Sequence, residues 1–432
     1  MRTGNQRTRK TTKAFILLTI AALVTLLGVS CSDVIANITG NNSSSVASVS
    51  GTVFFTEDDE FTTRDLKQTA DLTDATYYEV DDDTDITITE EGVYVFNGEA
   101  EDMTIIVNVA DEDAKVQLVL NGVTITNADF PCIYVKSADK VFVTTVSGTT
   151  NTLKVTGTFT ADGDTNTDAV IFAKDDIVLN GEGTLKITST YGNGVTGKDD
   201  LKITGGTISI TCKLDAIEAN DSIRIAGGDI TISSQKDGLH AEYDEDDSVG
   251  YIYICGGTLD ITASDDGIHA TTVVQIDDGE IDISAAEGIE GTYVLINGGT
   301  ITISASDDGI NAASKSTKYT VAIEINGGTI TIKMASGDTD AIDSNGNLYV
   351  NGGTLNITAN SAFDYDGYAS YTGGTIIVNG TTVNSITNSM AGGGAGPWPS
   401  AGRWPDARIL RKSKQMTTIQ EEGIFGKTRS DS

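Results

Sequence analysis

The stretch that decides the fold is residues 215–328, in which one five-residue motif occurs five times. It reads D-A-I-E-A at 215–219, D-G-L-H-A at 237–241, D-G-I-H-A at 266–270, E-G-I-E-G at 287–291 and D-G-I-N-A at 308–312. The first residues of these motifs are 22, 29, 21 and 21 positions apart. Each motif is followed by an alternating strand, a Gly-Gly or Asp-Gly pair and a second alternating strand. A regular repeat of this length indicates a solenoid.

The apolar residues of the repeat indicate how it folds. Isoleucines alternate at Ile223 and Ile225 and again at Ile230 and Ile232, and the alternation shifts by one across the glycines between them. This is expected where the chain turns a corner and both flanks face one interior. Three short strands cannot bury an apolar face alone, so the units must stack. We therefore predict an all-β fold, a parallel β-helix of about ten coils. The alternative, an antiparallel sandwich, would need short hairpins instead of a 21-residue period.

Composition divides the chain into four parts. We predict a signal peptide at 1–31, a flexible linker at 32–50, the β-helix at 51–389 and a disordered tail at 390–432. Within the β-helix, residues 51–115 are assigned to an N-terminal cap and the first irregular coils. The apolar run at 14–29 is shorter than the ~20 residues that a membrane-spanning helix needs, which favours a cleaved signal.

Charge and cysteine content narrow the classes of partner. The net charge of −34 makes binding of nucleic acid or of an anionic membrane surface unfavourable. The four cysteines have neither paired nor C-x-x-C spacing, so they predict neither a disulfide framework nor a zinc site. A body this acidic instead requires cations.

The acidic residues of the motif predict a metal site. If the repeats stack in register, the first residues of the motifs form one row and the residues three positions later form a second row. Adjacent carboxylates ~4.8 Å apart repel by about 3.5 kcal/mol at an effective dielectric constant near 20. Ca²⁺ takes six to eight oxygen ligands with flexible geometry and would offset this repulsion. The predicted ligands are Asp215, Glu218, Asp237, Asp265, Asp266, Glu287, Glu290, Asp307 and Asp308, of which the last six, from Asp265 on, form the densest cluster.

Two other interpretations of these rows stay open. Asp beside Gly is common in turns, so each acid taken alone is equally a solvated turn residue. His240 and His269 fall in the second row. They would suit a softer transition metal, or they hydrogen-bond to the neighbouring carboxylates.

Two insertions locate a candidate binding surface. E-Y-D-E-D-D-S-V-G-Y follows Ala241 and A-S-K-S-T-K-Y-T-V follows Ala312, so both leave the same corner, three coils apart. We predict that they bracket a shallow acidic groove. Tyrosines stack on the apolar faces of sugars, and calcium bridges protein carboxylates to anionic sugars. The predicted carbohydrate-binding residues, whose alternative is a role as ordinary exposed loop residues, are Tyr243, Tyr251, Tyr293 and Tyr319.

Several longer motifs carry a family resemblance. They are D-A-V-I-F-A-K-D-D at 168–176, G-N-G-V-T-G-K-D-D-L-K-I-T-G-G-T at 192–207, K-D-G-L-H-A at 236–241 and D-D-G-I-H-A at 265–270. Over residues 80–385 the chain resembles bacterial carbohydrate-binding β-helix proteins that are related to the pectate-lyase superfamily and to family 9 polysaccharide lyases. The resemblance implies a right-handed parallel β-helix with bound calcium. It also implies attachment to plant polysaccharides such as cellulose and polygalacturonate, without an established catalytic activity.

The main alternative function is a calcium-dependent lyase. Pectate-type elimination needs a base that removes the proton next to the uronate carboxyl group. Lys213 and Lys236 precede acids of the first row and are the candidate bases, although a Lys beside an Asp is also a simple ion pair. A third alternative is a non-catalytic adhesin stalk, which would retain no polysaccharide.

Cys31 generates the first testable prediction. The stretch L-L-G-V-S-C at 26–31 resembles the bacterial lipoprotein box, in which the cysteine is acylated and becomes the mature N-terminus. We therefore expect an exported protein that is anchored to the cell envelope by lipid, and growth with a labelled fatty acid should label Cys31. Absence of label would favour simple secretion.

Overall fold

We describe the protein from a computed structural model, which covers residues 52–243, 245–337 and 339–389. These residues contain one four-residue helix and 34 strands, so the predicted all-β class is confirmed. The predicted signal peptide, Cys31, the linker at 32–50 and the tail at 390–432 lie outside the described residues. Within the described ranges, no helix has the length and apolar character needed to cross a membrane.

The helix and strands have the following bounds. The helix α1 is Glu57–Glu60. The strands are β1 (Thr76–Glu79), β2 (Ile86–Ile88), β3 (Gly92–Glu101), β4 (Ile105–Asn108), β5 (Lys115–Asn127), β6 (Ile133–Ser137), β7 (Lys140–Thr145), β8 (Thr150–Val155), β9 (Ala169–Ala173), β10 (Asp176–Gly181), β11 (Thr184–Ser189), β12 (Asn193–Gly197), β13 (Asp200–Thr211), β14 (Ile217–Ala219), β15 (Ser222–Ser233), β16 (Leu239–Ala241), β17 (Tyr251–Ile254), β18 (Thr258–Thr262), β19 (Asp266–Ala270), β20 (Val273–Ile276), β21 (Glu280–Ala285), β22 (Glu287–Gly291), β23 (Tyr293–Ile296), β24 (Thr300–Ala305), β25 (Asp308–Ala312), β26 (Ala322–Ile325), β27 (Thr329–Met334), β28 (Asp340–Ser344), β29 (Asn347–Val350), β30 (Thr354–Thr358), β31 (Ser361–Tyr365), β32 (Ala369–Tyr371), β33 (Thr375–Val378) and β34 (Thr381–Val383).

The strands form two sheets that are consistent with a β-helix. The smaller sheet has twelve strands, one from each coil: β2, β4, β6, β9, β12, β14, β16, β19, β22, β25, β28 and β31. The larger sheet contains the other 22 strands. Among the strand pairs of the described residues only β33 and β34 are antiparallel, which excludes the sandwich alternative. The described residues thus form twelve coils where about ten were predicted, because β2 and β4 belong to the region assigned to the cap and the first irregular coils.

Successive coils stack in register, which explains the repeat. In the smaller sheet Ile268 pairs with Ile289, and Ile289 pairs with Ile310. All three side chains are fully buried, as are the inward residues of the larger sheet. Strands pair in parallel ~4.8 Å apart, so residues about 21 positions apart in sequence become direct neighbours. One continuous apolar core therefore runs along the solenoid.

Glycine is required at the corner between two strands of each repeat. Gly299 has a φ of 83° and Gly328 a φ of 80°, in the left-handed region that other residues rarely adopt. A Cβ atom on Gly328 would also lie 2.7 Å from the carbonyl oxygen of Gly298 in the preceding coil. The corner role predicted for these glycines is confirmed.

Residues 52–68, which we call the N-terminal strap, lie along the outer face of the larger sheet. The amide of Thr52 donates to Glu324, and the amides of Phe54 and Phe55 donate to Oε1 of Gln275 at 3.0 and 3.1 Å. Farther along the strap, Gln68 donates to the carbonyl oxygen of Thr204 at 2.9 Å. The strap thus crosses from late coils to early ones, and these residues do not form the terminal cap that the sequence analysis assigned to them.

The strap is held by charge and aromatic packing. Asp65 is fully buried, with its carboxylate oxygens 3.2 Å from Nζ of Lys202 and 3.4 Å from Nζ of Lys140. The ring of Phe55 stacks on Tyr251, with centroids 4.2 Å apart and an interplanar angle of 14°. These contacts cover outward-facing residues of the larger sheet that would otherwise be exposed.

We predict that Asp65→Ala destabilises the fold strongly. Removing the carboxylate leaves Lys202, whose side chain is 6% exposed, as a buried and uncompensated charge. Such a change typically costs about 3–5 kcal/mol, which urea denaturation followed by circular dichroism would measure. The matched control is Asp71→Ala, since the hydrogen bonds of Asp71 are to nearby Thr73. A change within about 0.5 kcal/mol is expected there, and equal effects of the two substitutions would contradict the proposed role of Asp65.

Candidate functional site

The motif residues form two columns on the smaller sheet. The first, which we call the acid column, contains Asp215, Asp237, Asp266, Glu287, Asp308 and Asp340. The second, which we call the mixed column, contains Thr196, Glu218, His240, His269, Glu290, Asn311 and Asp343. The in-register stacking places these residues together as the repeat predicts. Asp340 and Asp343 belong to a sixth copy of the motif, D-A-I-D-S at 340–344, which the sequence analysis missed.

Part of the acid column is stabilised by backbone groups. Oδ1 of Asp215 accepts a hydrogen bond from the amide of Asp237 at 3.0 Å, and Oδ1 of Asp237 accepts one from the amide of Asp266 at 3.0 Å. Oδ1 of Asp308 accepts from the amide of Asp340 at 3.3 Å. An Asp at this position therefore links its coil to the next. This gives the motif a structural reason for its acid that does not depend on a metal.

Two cations offset the charge of the first acids. Nζ of Lys236 donates to Asp215 at 2.8 Å, and Nδ1 of His240 lies 3.4 Å from Asp215 and 3.3 Å from Asp237. Burial by itself would raise the pKa of Asp215, but His240 and Lys236 lower it to about 2. Burial likewise opposes protonation of His240, yet hydrogen bonds to Asp215 and Glu242 raise its pKa to about 10. The imidazole of His240 is therefore charged at neutral pH.

His269 has a different environment from His240. Its Nδ1 lies 2.7 Å from Oδ2 of Asp266 and 3.4 Å from Oε2 of Glu290. Nζ of Lys315 lies 2.8 Å from the same oxygen of Glu290. Burial, together with the charges of Lys315 and His240, lowers the pKa of His269 to about 4. This imidazole is neutral at neutral pH.

The later part of the columns is built from oxygen ligands. Burial and the charge of Glu290 raise the pKa of Glu287 to about 8, and burial and the charge of Asp343 raise that of Asp308 to about 7. Nδ2 of Asn311 donates to Glu287 at 2.9 Å, whereas its Oδ1 is buried without a hydrogen-bond partner. Half-buried carboxylates and an unused amide oxygen are the kinds of donor that Ca²⁺ prefers.

Two of the predicted metal ligands do not belong to the columns. Asp265 and Asp307 are exposed, each one residue before a column member. The densest cluster therefore differs from the one predicted. Each of them lies in the bend just before the strand that carries its neighbour, so its side chain stays in solvent.

An open cavity lies beside the first coils of the columns. Its volume is about 660 Å³. Its lining combines carboxylates, three cations and two apolar groups: Asp168, Asn193, Lys198, Leu214, Asp215, Glu218, Asn220, Lys236, His240, Glu242, Tyr243 and Glu245. Leu214, which is 38% exposed, and Tyr243 are the apolar contributors. A polar cavity with one aromatic and one aliphatic side chain is suited to a hydroxyl-rich ligand.

One family model matches more than half of the chain. The model of a family described as "carbohydrate-binding domain-containing protein" matches residues 82–339 and 286–424. The chain belongs to this carbohydrate-binding family. A carbohydrate-binding domain-containing protein of Acetivibrio thermocellus is 38% identical over 128 residues, which are 29% of this chain and 44% of that protein. A solved structure, that of the polysaccharide lyase-like protein from C. thermocellum as a gadolinium derivative, is 31% identical. It matches 55% of this chain and 96% of its own, with a TM-score of 0.46.

The four tyrosines that were predicted to bind carbohydrate divide into two groups. Tyr243 lines the cavity. Tyr251, Tyr293 and Tyr319 pack against Phe54 and Phe55 of the N-terminal strap instead. Tyr251 and Tyr319 lie within the two insertions and Tyr293 lies between them in sequence, so all three were predicted to flank the groove. The strap instead reaches Tyr251 from more than 190 residues away.

The predicted groove between the two insertions is not open. The hydroxyl of Ser316 donates to the carbonyl oxygen of Asp247 at 2.5 Å, and the amide of Thr317 donates to the Asp247 carboxylate at 2.9 Å. The two loops therefore meet above the coils between them. The open cavity lies on the other side of the first loop, among residues of earlier coils.

The two candidate lyase bases also differ in position. Lys213 is exposed and hydrogen-bonds to Gln235, outside the cavity lining. Lys236 lies in the cavity but is paired with Asp215. Burial opposes protonation of Lys236, but its hydrogen bond to Asp215 raises the pKa. Lys236 is thus protonated at neutral pH and is not available to accept a proton.

We predict that the only two histidines of the chain titrate far apart. The imidazole signals in nuclear magnetic resonance spectra should shift near pH 10 for His240 and near pH 4 for His269, and His240→Gln identifies them by removing one signal. The pKa of His240 lies above its unfolded value of about 6.5. Its stabilising contribution is therefore complete below about pH 6.5 and is lost as the pH rises through about 10. Titration of both histidines near 6.5 would contradict these environments.

Proposed function

We propose that this protein binds a polysaccharide in the cavity between Leu214 and Tyr243. The observation that carries the proposal is this cavity, in which two apolar groups accompany many hydrogen-bonding side chains in a member of a carbohydrate-binding family. Sugar rings present apolar faces that stack on aromatic groups, and their hydroxyl groups exchange hydrogen bonds with carboxylates and amides. The cavity is open, so a chain longer than the cavity can pass through it.

Charge favours a neutral glycan or one bridged by a metal. The lining carries five carboxylates, which are those of Asp168, Asp215, Glu218, Glu242 and Glu245, against three cationic groups. Each cation is already close to a carboxylate: Lys198 lies 3.1 Å from Glu218, Lys236 2.8 Å from Asp215 and Nε2 of His240 2.9 Å from Glu242. A cellulose-like chain meets no electrostatic penalty here. Polygalacturonate would require Ca²⁺ to bridge its carboxylates to those of the protein.

We propose that the protein binds the polysaccharide without cleaving it by β-elimination. Removal of the proton next to a uronate carboxyl group needs an unprotonated base. Lys236 is the cavity lysine that the sequence analysis considered, and its ion pair with Asp215 keeps it protonated. The position of Lys236 instead supports a role in offsetting the negative charge of the acid column.

The proposal includes a calcium ion and a place at the cell surface. Glu287, Asp308, Asn311, Asp340 and Asp343 are the residues that would hold Ca²⁺, and the ion would supply positive charge to the acidic columns. The body would be a right-handed β-helix, joined through the linker at 32–50 to a lipid on Cys31. In this arrangement a glycan-binding solenoid attaches the bacterium to its polysaccharide.

We predict that Tyr243→Ala weakens polysaccharide binding. Loss of the stacking surface should cost about 1–2 kcal/mol, or roughly five- to thirtyfold in affinity. A pull-down on insoluble cellulose and on soluble pectate, each with and without EDTA, measures retention. EDTA should abolish retention on pectate and leave retention on cellulose. The matched control is Tyr368→Ala, because Tyr368 is 65% exposed and does not line the cavity. Equal loss in both variants, or in neither, would exclude this site.

We predict that Ca²⁺ stabilises the fold through the oxygen ligands. At one hundred times its dissociation constant a ligand adds about 2.7 kcal/mol, so EDTA should lower the thermal midpoint by about 5 °C and excess Ca²⁺ should restore it. Asp308→Asn should remove most of this response. Asp307→Asn is the control, because Asp307 is the exposed neighbour. An EDTA-insensitive midpoint would remove calcium from the proposal without affecting glycan retention on cellulose.

A further inference from the structure

Asp266, His269 and Glu290 bring three side chains together that can all bind one metal ion. They come from β19 and β22, neighbouring strands of the smaller sheet, across which His269 pairs with Glu290. Nδ1 of His269 lies 2.7 Å from Oδ2 of Asp266 and 3.4 Å from Oε2 of Glu290. The three residues are 7%, 8% and 6% exposed. Three ligand atoms of this kind thus converge on one buried point.

The spacing of these atoms suits a small ion with tetrahedral geometry. Zinc–ligand bonds of 2.0–2.2 Å place neighbouring ligand atoms about 3.3–3.6 Å apart. The separation between His269 and Glu290 already has this value. Nδ1 of His269 and Oδ2 of Asp266, which are 2.7 Å apart, would have to separate to admit the ion.

One nitrogen of His269 faces two carboxylates, and the other has no partner. Its Nε2 is buried without a hydrogen-bond partner, although buried polar atoms are usually satisfied. The ring orientation brings Nδ1 close to the carboxylates of Asp266 and Glu290, whereas Nε2 makes no hydrogen bond. The ring orientation thus places Nδ1, and not Nε2, beside the two carboxylates that would share a metal ion with it.

The donor set distinguishes this site from the calcium ligands proposed above. Imidazole nitrogen is preferred by zinc and similar transition metals, whereas Ca²⁺ prefers carboxylate and carbonyl oxygen. The columns thus contain two chemically distinct segments, one that includes imidazoles and one built from oxygen.

We propose that Asp266, His269 and Glu290 bind a zinc ion that joins the coils of β19 and β22. Zinc takes four ligands, and water completes the set. The residues are too buried for a polysaccharide to reach the ion, so the metal acts on the fold and not on a substrate. The inference does not depend on the proposed glycan site.

Lys315 competes with the metal. Its Nζ lies 2.8 Å from Oε2 of Glu290, the oxygen that also faces His269. The Lys315 side chain is 30% exposed, so it can turn toward solvent when the ion enters. Removing this ammonium group should therefore strengthen metal binding. This is a gain of function that a merely misfolded variant cannot produce.

The experiment uses Co²⁺ as a spectroscopic probe for zinc. The full chain is freed of metal with a chelator and titrated with Co²⁺ in millimolar Ca²⁺, which fills any calcium site. We expect the visible absorption bands of tetrahedral Co²⁺, and their loss on addition of Zn²⁺. His269→Gln should weaken Co²⁺ binding by more than about 100-fold. Loss of a residue that only hydrogen-bonds to a metal ligand weakens binding by about 10- to 100-fold, so a larger effect identifies His269 as a ligand itself. Lys315→Met should strengthen it.

Three controls decide the assignment. Asp265→Asn, which alters the exposed neighbour of Asp266, should leave the Co²⁺ bands unchanged. His240→Gln tests the neighbouring group Asp237, His240 and His269, and it should also leave the bands in place. The proposal is overturned if wild-type protein gives no Co²⁺ bands that Zn²⁺ displaces, if His269→Gln binds as well as wild type, or if His240→Gln abolishes binding while Asp266→Asn does not.

Discussion

The structure depends on in-register parallel hydrogen bonding between successive coils. This pairing places each residue ~4.8 Å from its counterpart in the next coil, so every position of the repeat becomes a column of similar side chains. Inside the solenoid the result is favourable, since Ile268, Ile289 and Ile310 form an unbroken apolar stack. On the outside the same rule brings like charges together. The chemistry of this protein follows from how those charges are accommodated.

The acid column shows three ways to accommodate stacked carboxylates. Asp215 and Asp237 accept hydrogen bonds from the backbone of the following coil, which turns the charge into a link between coils. Lys236 and protonated His240 supply positive charge where the cavity opens. Where the main neighbours are other carboxylates, burial and repulsion raise the pKa, as for Glu287. A cation at this last segment would restore full ionisation, which connects the electrostatics of the fold to metal binding.

The two outer surfaces of the solenoid differ in what lies on them. The N-terminal strap lies along the larger sheet, and its aromatic rings pack against the tyrosines there. The cavity on the other side stays open and contains Tyr243 and Leu214. The cavity that contains Tyr243 therefore lies on the side that carries the acid and mixed columns. At the later coils of this side, the hydrogen bond between Thr317 and Asp247 joins the two inserted loops.

The class of fold, the stacking register and five members of each column follow from the sequence alone, because a solenoid needs only local periodicity to define its neighbours. The sixth members, Asp340 and Asp343, were missed. The motifs at 215–312 sufficed to place His240 above His269 and Glu290 beside Asn311. Only the tertiary structure decided which face the strap covers, where the cavity opens and how the two inserted loops meet. Thr52 contacts Glu324 across 272 positions, and no periodic pattern encodes a pairing between an irregular segment and a sheet. Such contacts depend on the shape and charge of surfaces that exist only after the coils have stacked.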